Sequence, residues 1–239
     1  IYAMPPSPPA APNEIEVTPF PLDDEGVLPL ALARSWLSDA ERERADRFRF
    51  EVHRDRYVRG RGMMRALLAR RLGTAPGDLA FAEVGKGKPV LPGASLSFNL
   101  SHSESRAVLA LGEVPGIGVD VEGCDRRVDL DGLARRCFRE SEIAWMNAFP
   151  PEERHLAFFR LWTAKEARMK AGGEGFSLEP KRIELAFSGG FPDRVVAPTD
   201  PPAWLAPVAL PDAGTACCVV AFAPFHVRLG GVPVFDPGH

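Results

Sequence analysis

Helix precedes strands twice along this chain. That order predicts an α+β fold rather than a parallel sheet of βαβ units. The first helical stretch is SDAERERADRFRFEVHRDRYVRGRGMMRALLARRLG, beginning at Ser38. Ser38 with Glu41 makes a capping box, and Gly73 supplies a stop. Phe48, Phe50, Tyr57, Met63, Met64, Leu67 and Leu68 give it an apolar stripe. DLAFAEV then reads as a strand, with a turn at Gly85, Gly87 and Pro89. ASLSFNLSHSESRAVLALGE reads as two strands around a polar connection, Ser101 to Ser105.

The second half opens with two short helices, VDLDGLARRCF and SESEIAWMNAF. Pro150 and Pro151 break the chain before PEERHLAFFRLWTAKEARMKAGG, an amphipathic helix stopped by Gly172 and Gly173. RIELAF, AWLAPVAL, TACCVVAFAP and FHVRLG follow as strands between Pro- and Gly-rich turns. No internal sequence repeat is visible. The expected division is a Pro-rich, disordered lead-in (1–13), an N-terminal unit (14–116) and a C-terminal unit (117–239).

Two acids interrupt an otherwise apolar strand, GIGVDVEGC. Asp120 and Glu122 lie two residues apart, so both side chains share one face. Paired carboxylates repel and are costly to desolvate. On the long C-terminal helix, Trp162, Glu166 and Lys170 recur every four residues and line one face. Taken alone, Glu166 and Lys170 read as a surface ion pair. Beside Asp120 and Glu122 they read differently. Three carboxylates from a strand and a helix can converge on one hard cation such as Mg²⁺, which takes oxygen ligands and shares its shell with phosphates.

Phosphate-binding groups are available. GKGKPVL offers Lys86 and Lys88 on a Gly-rich turn, although the motif is no P-loop and a solvated hairpin tip is the alternative. FNLSHS places His102 between two serines at a strand end, where loops carry function. A lone histidine is as readily structural.

Composition narrows the classes. The 239 residues are 45% hydrophobic, enough for a core, and carry a formal charge of −3. The basic segment 42–71 is interleaved with acids (Glu43, Asp46, Glu51, Asp55), so most of its arginines read as solvated and nucleic-acid binding is disfavoured. The four cysteines (Cys124, Cys137, Cys217 and Cys218) lack zinc spacing and read as reduced core thiols. Cys217 and Cys218, adjacent on a strand, should point to opposite faces. No signal peptide and no membrane span are apparent, which suggests a cytoplasmic protein.

GKGKPVL, FNLSHS, GIGVDVE and FFRLWTAKEARMK occur in the order and spacing found in 4′-phosphopantetheinyl transferases of the Sfp type, and the chain resembles that family from about Ser38 to Lys170. The length matches the monomeric, pseudo-dimeric subtype. The resemblance implies two similar α+β subdomains related by a pseudo-twofold axis, with antiparallel sheets packed against helices. It also implies transfer of the phosphopantetheine arm of coenzyme A to a serine of a carrier protein. Asp120, Glu122 and Glu166 match the family's metal ligands, for Mg²⁺ with Mn²⁺ as a substitute. Lys170 matches its lysine near the pyrophosphate. Arg44, Arg56, Lys88, Ser101 and His102 match positions that hold coenzyme A, with Lys86 and Lys165 as further candidates. Glu142 matches an acid proposed as general base, beside Glu166 or a metal-bound water. Glu41 departs from the family, whose members often carry lysine there, so the 3′-phosphate grip should be weaker or built differently.

A coenzyme A-binding module without catalysis would not need the three acids together. The partner would be an acyl or peptidyl carrier protein. It would meet the segment after Glu122, where Arg126, Arg127, Arg135, Arg136 and Arg139 accompany Leu130, Leu133 and Phe138.

Overall fold

A computed structural model describes residues 13–125, 128–212, 214–233 and 235. Nearly all of the lead-in, and Arg126 and Arg127, lie outside the described residues. The first half runs β1 (Glu14–Pro21), α1 (Leu30–Ser35), α2 (Asp39–Asp46), α3 (Glu51–Leu72), a hairpin β2 (Ala82–Val84) and β3 (Lys88–Val90), then β4 (Ser97–Ser103) and β5 (Arg106–Gly112). The second runs β6 (Gly118–Gly123), α4 (Leu130–Cys137), α5 (Glu140–Asn147), α6 (Arg154–Gly172), β7 (Glu184–Ser188), β8 (Phe191–Ala197), β9 (Trp204–Pro207), β10 (Thr215–Ala221) and β11 (His226–Leu229).

Beside the two-stranded β2-β3 hairpin, two larger sheets form, in the orders β11-β1-β5-β4 and β6-β10-β9-β8-β7. Strand alternation builds the core in layers. On β5, Ala107, Leu109 and Leu111 pack with Met63, Met64, Leu67 and Leu68 of α3. Val108 and Ala110 face the other way, with Ile15 and Val17 of β1, and meet Val119, Val121, Cys217 and Val219 of the second sheet. On β10, Ala216, Cys218 and Val220 pack under Phe158, Leu161 and Ala164 of α6. Cys217 and Cys218 thus point to opposite faces, as expected, and all four cysteines are free. The order is helix, sheet, sheet, helix, which is the expected α+β class.

Several elements depart from the sequence reading. β1 comes before any helix. Its signal was hidden by Pro19 and Pro21, which a central strand excludes. The structure admits them because β11 pairs only with Glu14–Val17, leaving the proline-bearing part bonded on one side, to β5. α1 and β8 carry weak sequence signals and were also missed. FHVRLG does form a strand, but in parallel with β1 of the other half. The chain continues over that half to Phe235, which is buried edge-to-face on Trp36 at 5.3 Å. The arginines of α3 are not all solvated. Arg59 and Arg65 are buried, Arg59 on the carbonyls of Leu22 and Leu28, Arg65 on those of Pro76 and Leu79. Among the described residues no helix is long and apolar enough to cross a membrane.

Candidate active site

β4 and β6 are the facing edges of the two sheets, and α6 lies over their junction. Gly118 permits this approach. A Cβ there would strike the backbone of Ala167 and Ala171, so any larger residue would lift α6 from β6. With the helix seated, Glu166 and Lys170 meet Asp120 and Glu122. The Lys170 ammonium sits 2.6 Å from Asp120 Oδ1 and 2.9 Å from Ser101 Oγ. Ser101 donates to the same Asp120 oxygen at 2.8 Å, and Ser103 donates to Glu122 Oε2 at 2.7 Å. Lys170 therefore pairs with Asp120 across elements and not with Glu166 along the helix.

The electrostatics are strained. Burial pushes the Asp120 carboxyl above its usual value, although Lys170 and Ser101 oppose the shift. Burial, then the Asp120 and Glu122 carboxylates, push Glu166 up to about 7, with Lys170 opposing. Asp120 Oδ2 and Glu166 Oε1 are buried without a hydrogen-bond partner. Orphaned carboxylate oxygens are costly. Among the described residues no three His, Cys, Asp or Glu side chains are closed up as a metal cage. The donor set nevertheless fits a hard divalent ion. All its donors are carboxylate oxygens, two are unpartnered, and Lys170 sets an ammonium against Asp120.

His102 is exposed at the end of β4, beside this cluster. Packing beneath the ring, then the Lys170 and Arg56 charges, hold its pKa below the usual value. Arg56 forms a fork on Asp23, at 2.9 and 2.7 Å. Arg44 is exposed over the Tyr57 ring and opens onto a cleft of about 500 Å³ with Arg61, Phe81 and Pro89. Glu41 lies at the base of that cleft. It closes the capping box on Ser38 and bridges Arg61 and Arg65. Burial raises its carboxyl, but these partners outweigh burial and hold it low. The acid that departs from the family pattern is thus paired with two arginines, which leaves Arg44 as the arginine of the cleft lining not bonded to Glu41.

The two hairpin lysines differ. Lys86 is exposed at a tip whose backbone N–H donates to the Gly173 carbonyl at 3.0 Å. The amine of Lys88 donates to the carbonyls of Ile117 and Ala171, at 2.7 and 2.9 Å, and burial lowers its pKa to about 8. Lys88 thus ties the hairpin to β6 and α6 rather than presenting its ammonium to a ligand.

Glu142 and Lys165 are brought together, away from the acid cluster. Both are fully buried and their charges meet at 2.7 Å. The Lys165 amine also donates to the carbonyls of Pro180 and Ile183. Glu142 accepts the N–H groups of Arg139 and Leu185. Phe138, expected to flank exposed arginines, is buried in the α6 core. Arg139 pairs with Glu184 and the Lys181 carbonyl, whereas Arg135 and Arg136 are exposed on α4.

The sequence reading passed over Asn99 and Ser103 as partners of β6, and Tyr57, Arg61 and Arg65 around the cleft. Polar residues at every second position of an otherwise apolar strand (Asn99, Ser101, Ser103) were the available signal for the first pair.

A model of the 4′-phosphopantetheinyl transferase superfamily matches residues 116–217, and one of the N-terminal part of a 4′-phosphopantetheinyl transferase matches residues 28–113. The 4′-phosphopantetheinyl transferase HetI of Nostoc sp. is 36% identical over 215 residues, covering 88% of this chain and 87% of HetI. The 4′-phosphopantetheinyl transferase Sfp of Bacillus subtilis is 30% identical, covering 60% of this chain and 63% of Sfp. A holo-(acyl-carrier-protein) synthase from Bacillus anthracis, solved with coenzyme A (3′,5′-ADP), superposes on 45% of this chain and 94% of its own, with 22% identity and a TM-score of 0.40.

Proposed function

This chain belongs to the 4′-phosphopantetheinyl transferase superfamily, and from that premise we propose how its residues divide the work. It transfers the 4′-phosphopantetheine arm of coenzyme A to a serine of an apo carrier protein. The serine Oγ attacks the phosphorus that bears pantetheine, the bond to the bridging pyrophosphate oxygen breaks, and adenosine 3′,5′-bisphosphate leaves.

In this reading Asp120, Glu122 and Glu166 hold Mg²⁺, or Mn²⁺ in its place. When bound, the ion neutralises the carboxylates and the charge that develops on the pyrophosphate. The observation that carries the assignment is the pair of buried, unpartnered oxygens, Asp120 Oδ2 and Glu166 Oε1. Lys170 turns from Asp120 to the leaving phosphate, where its ammonium offsets charge as the bond breaks. Glu166 is also our candidate to take the serine proton, from its place beside the bound ion on the helix that carries Lys170. Ser101 holds Asp120 in place. His102, exposed at the end of β4, is assigned to donate an N–H to the 3′-phosphate. Arg44 with Arg61, and Arg56 and Lys86 beside them, supply basic groups for the nucleotide phosphates. An open cleft of about 570 Å³ beside Trp162, one helical turn before Glu166, suits the extended pantetheine arm. Lys88, Lys165 and Glu142 act as structural ties.

The division into units 14–116 and 117–239, meeting at β4 and β6, belongs to the same reading, amended by β11 and Phe235, which return to pack with the first unit. So do a monomeric, cytoplasmic enzyme and carrier docking on the exposed face of α4. The test is incubation with coenzyme A, Mg²⁺ and several apo carriers, read by intact-protein mass. The expected result is addition of the phosphopantetheine mass, abolished by EDTA and restored by Mg²⁺ or Mn²⁺. Full transfer in excess EDTA would remove the metal assignment.

A further inference from the structure

No backbone ladder joins β4 to β6, although these edges face each other. Side chains on β4 stand in for the ladder. Asn99 Oδ1 accepts the Val119 N–H at 2.9 Å. Ser101 holds Asp120. Ser103 Oγ accepts the Gly123 N–H at 3.4 Å and donates to Glu122 Oε2 at 2.7 Å. Positions 99, 101 and 103 share one face of the strand, so the three contacts step along β6 in register.

Ser103 is the member whose partner is a long acidic side chain. A serine hydroxyl has a single proton. With the Gly123 N–H directed at its oxygen, that proton is turned onto the carboxylate. Glu122 has more rotatable bonds than Asp120 and loses more freedom when ordered. Fixing one of its oxygens in advance removes that loss from any later binding step. Ser103 is itself buried on a strand paired in register with β5, so the anchor is rigid.

We infer that Ser103 is a positioning residue. It presets Glu122 in the arrangement that meets Asp120 and Glu166, and thereby sets the affinity of the site for its divalent ion. The inference rests on the metal reading above. A hydroxyl that merely filled the gap between the sheets would affect folding and every ligand alike. A positioning hydroxyl affects the ion selectively.

The test is Mn²⁺ binding to the full chain, followed by loss of the free-ion paramagnetic resonance signal, in wild type, Ser103→Ala and Ser103→Thr. Coenzyme A binding and melting are measured in EDTA beside it. Removing a hydrogen-bond partner of a metal ligand weakens binding by roughly 10–100-fold. Ser103→Ala should therefore bind Mn²⁺ about tenfold or more weakly, keep its coenzyme A affinity in EDTA, and be largely restored in Ser103→Thr. Should Ser103→Ala not fold, Ser103→Cys keeps the volume with a far weaker donor and serves in its place. Wild-type Mn²⁺ affinity in Ser103→Ala would overturn the inference while leaving the metal site standing. Equal losses of Mn²⁺ and of metal-free coenzyme A binding would also overturn it. If the wild type binds no Mn²⁺, the metal reading falls and this inference with it.

Discussion

The Lys170 ammonium sits 2.6 Å from Asp120 Oδ1, so a cation of the acid cluster comes from the helix that also carries the third acid. The contact answers why a strand tolerates two carboxylates on one face. Asp120 is 4% exposed and would be costly as a lone charge. The lysine offsets that cost without satisfying Asp120 Oδ2.

Asp120→Asn keeps the size of the side chain and an oxygen for Lys170 and Ser101, but removes the charge. Transfer should fall by about a hundredfold or more, the scale of losing a group that stabilises transition-state charge. Melting in EDTA should change little, because burial already disfavours the charged form of this group. A folded Asp120→Asn enzyme with near wild-type turnover would show that Asp120 is no ligand.

Glu142 and Lys165 give the opposite signature. Breaking a fully buried ion pair leaves the remaining charge uncompensated, at a cost of about 3–5 kcal/mol. Lys165→Met should lose stability on that scale. The double variant Glu142→Gln/Lys165→Met should regain much of it, since neither charge is then stranded. Per folded molecule, the double variant should transfer the arm nearly as well as wild type. A stable but inactive Glu142→Gln enzyme would instead mark Glu142 as a proton acceptor.

His102 carries the pH dependence. Its folded pKa lies below the ordinary 6.5, so the ring is neutral at pH 7 in the free enzyme. In the free protein this lowers stability as pH falls below 6.5, because the unfolded chain then binds the proton more readily. A phosphate dianion beside the ring reverses the sign, since it favours the imidazolium. The affinity for coenzyme A relative to dephospho-coenzyme A should therefore rise as pH is lowered from 8 to 6 in wild type, and stay flat in His102→Gln. Calorimetry across that range decides it. A slope that survives the substitution would place the 3′-phosphate elsewhere.

The site was more legible in the sequence than the sheets around it. Asp120, Glu122 and Glu166 could be grouped because charge in an apolar strand needs an explanation that strand period and helix period can supply. The capping box at Ser38 and Glu41 was local and therefore readable. β1 was not, because its prolines are tolerated only where β11 stops short, a fact set by the far end of the chain. The carbonyl partners of Lys88 and Lys165 were not legible for a related reason. A lysine in a motif does not reveal whether its amine faces a ligand or a row of backbone carbonyls.

The proposed carrier docking on α4 rests, among the described residues, on two arginines. Arg139 is engaged with Glu184, while Arg135 and Arg136 are exposed on the outer face of α4. Leu130 and Leu133 are only partly buried against the α6 core, so apolar surface lies near the pair. Arg136 also lines the cleft beside Trp162, which brings this face to the edge of the path proposed for the pantetheine arm. By the family resemblance, carriers are acidic helical bundles, and charges at the rim of an interface govern encounter more than residence. Arg135→Glu/Arg136→Glu should therefore slow carrier modification, most at low salt where screening is weakest. Coenzyme A binding by calorimetry should stay as it is, since neither residue is assigned to the nucleotide. Salt-dependent kinetics with a single carrier read both effects. An unchanged rate and salt slope would move the docking face off α4.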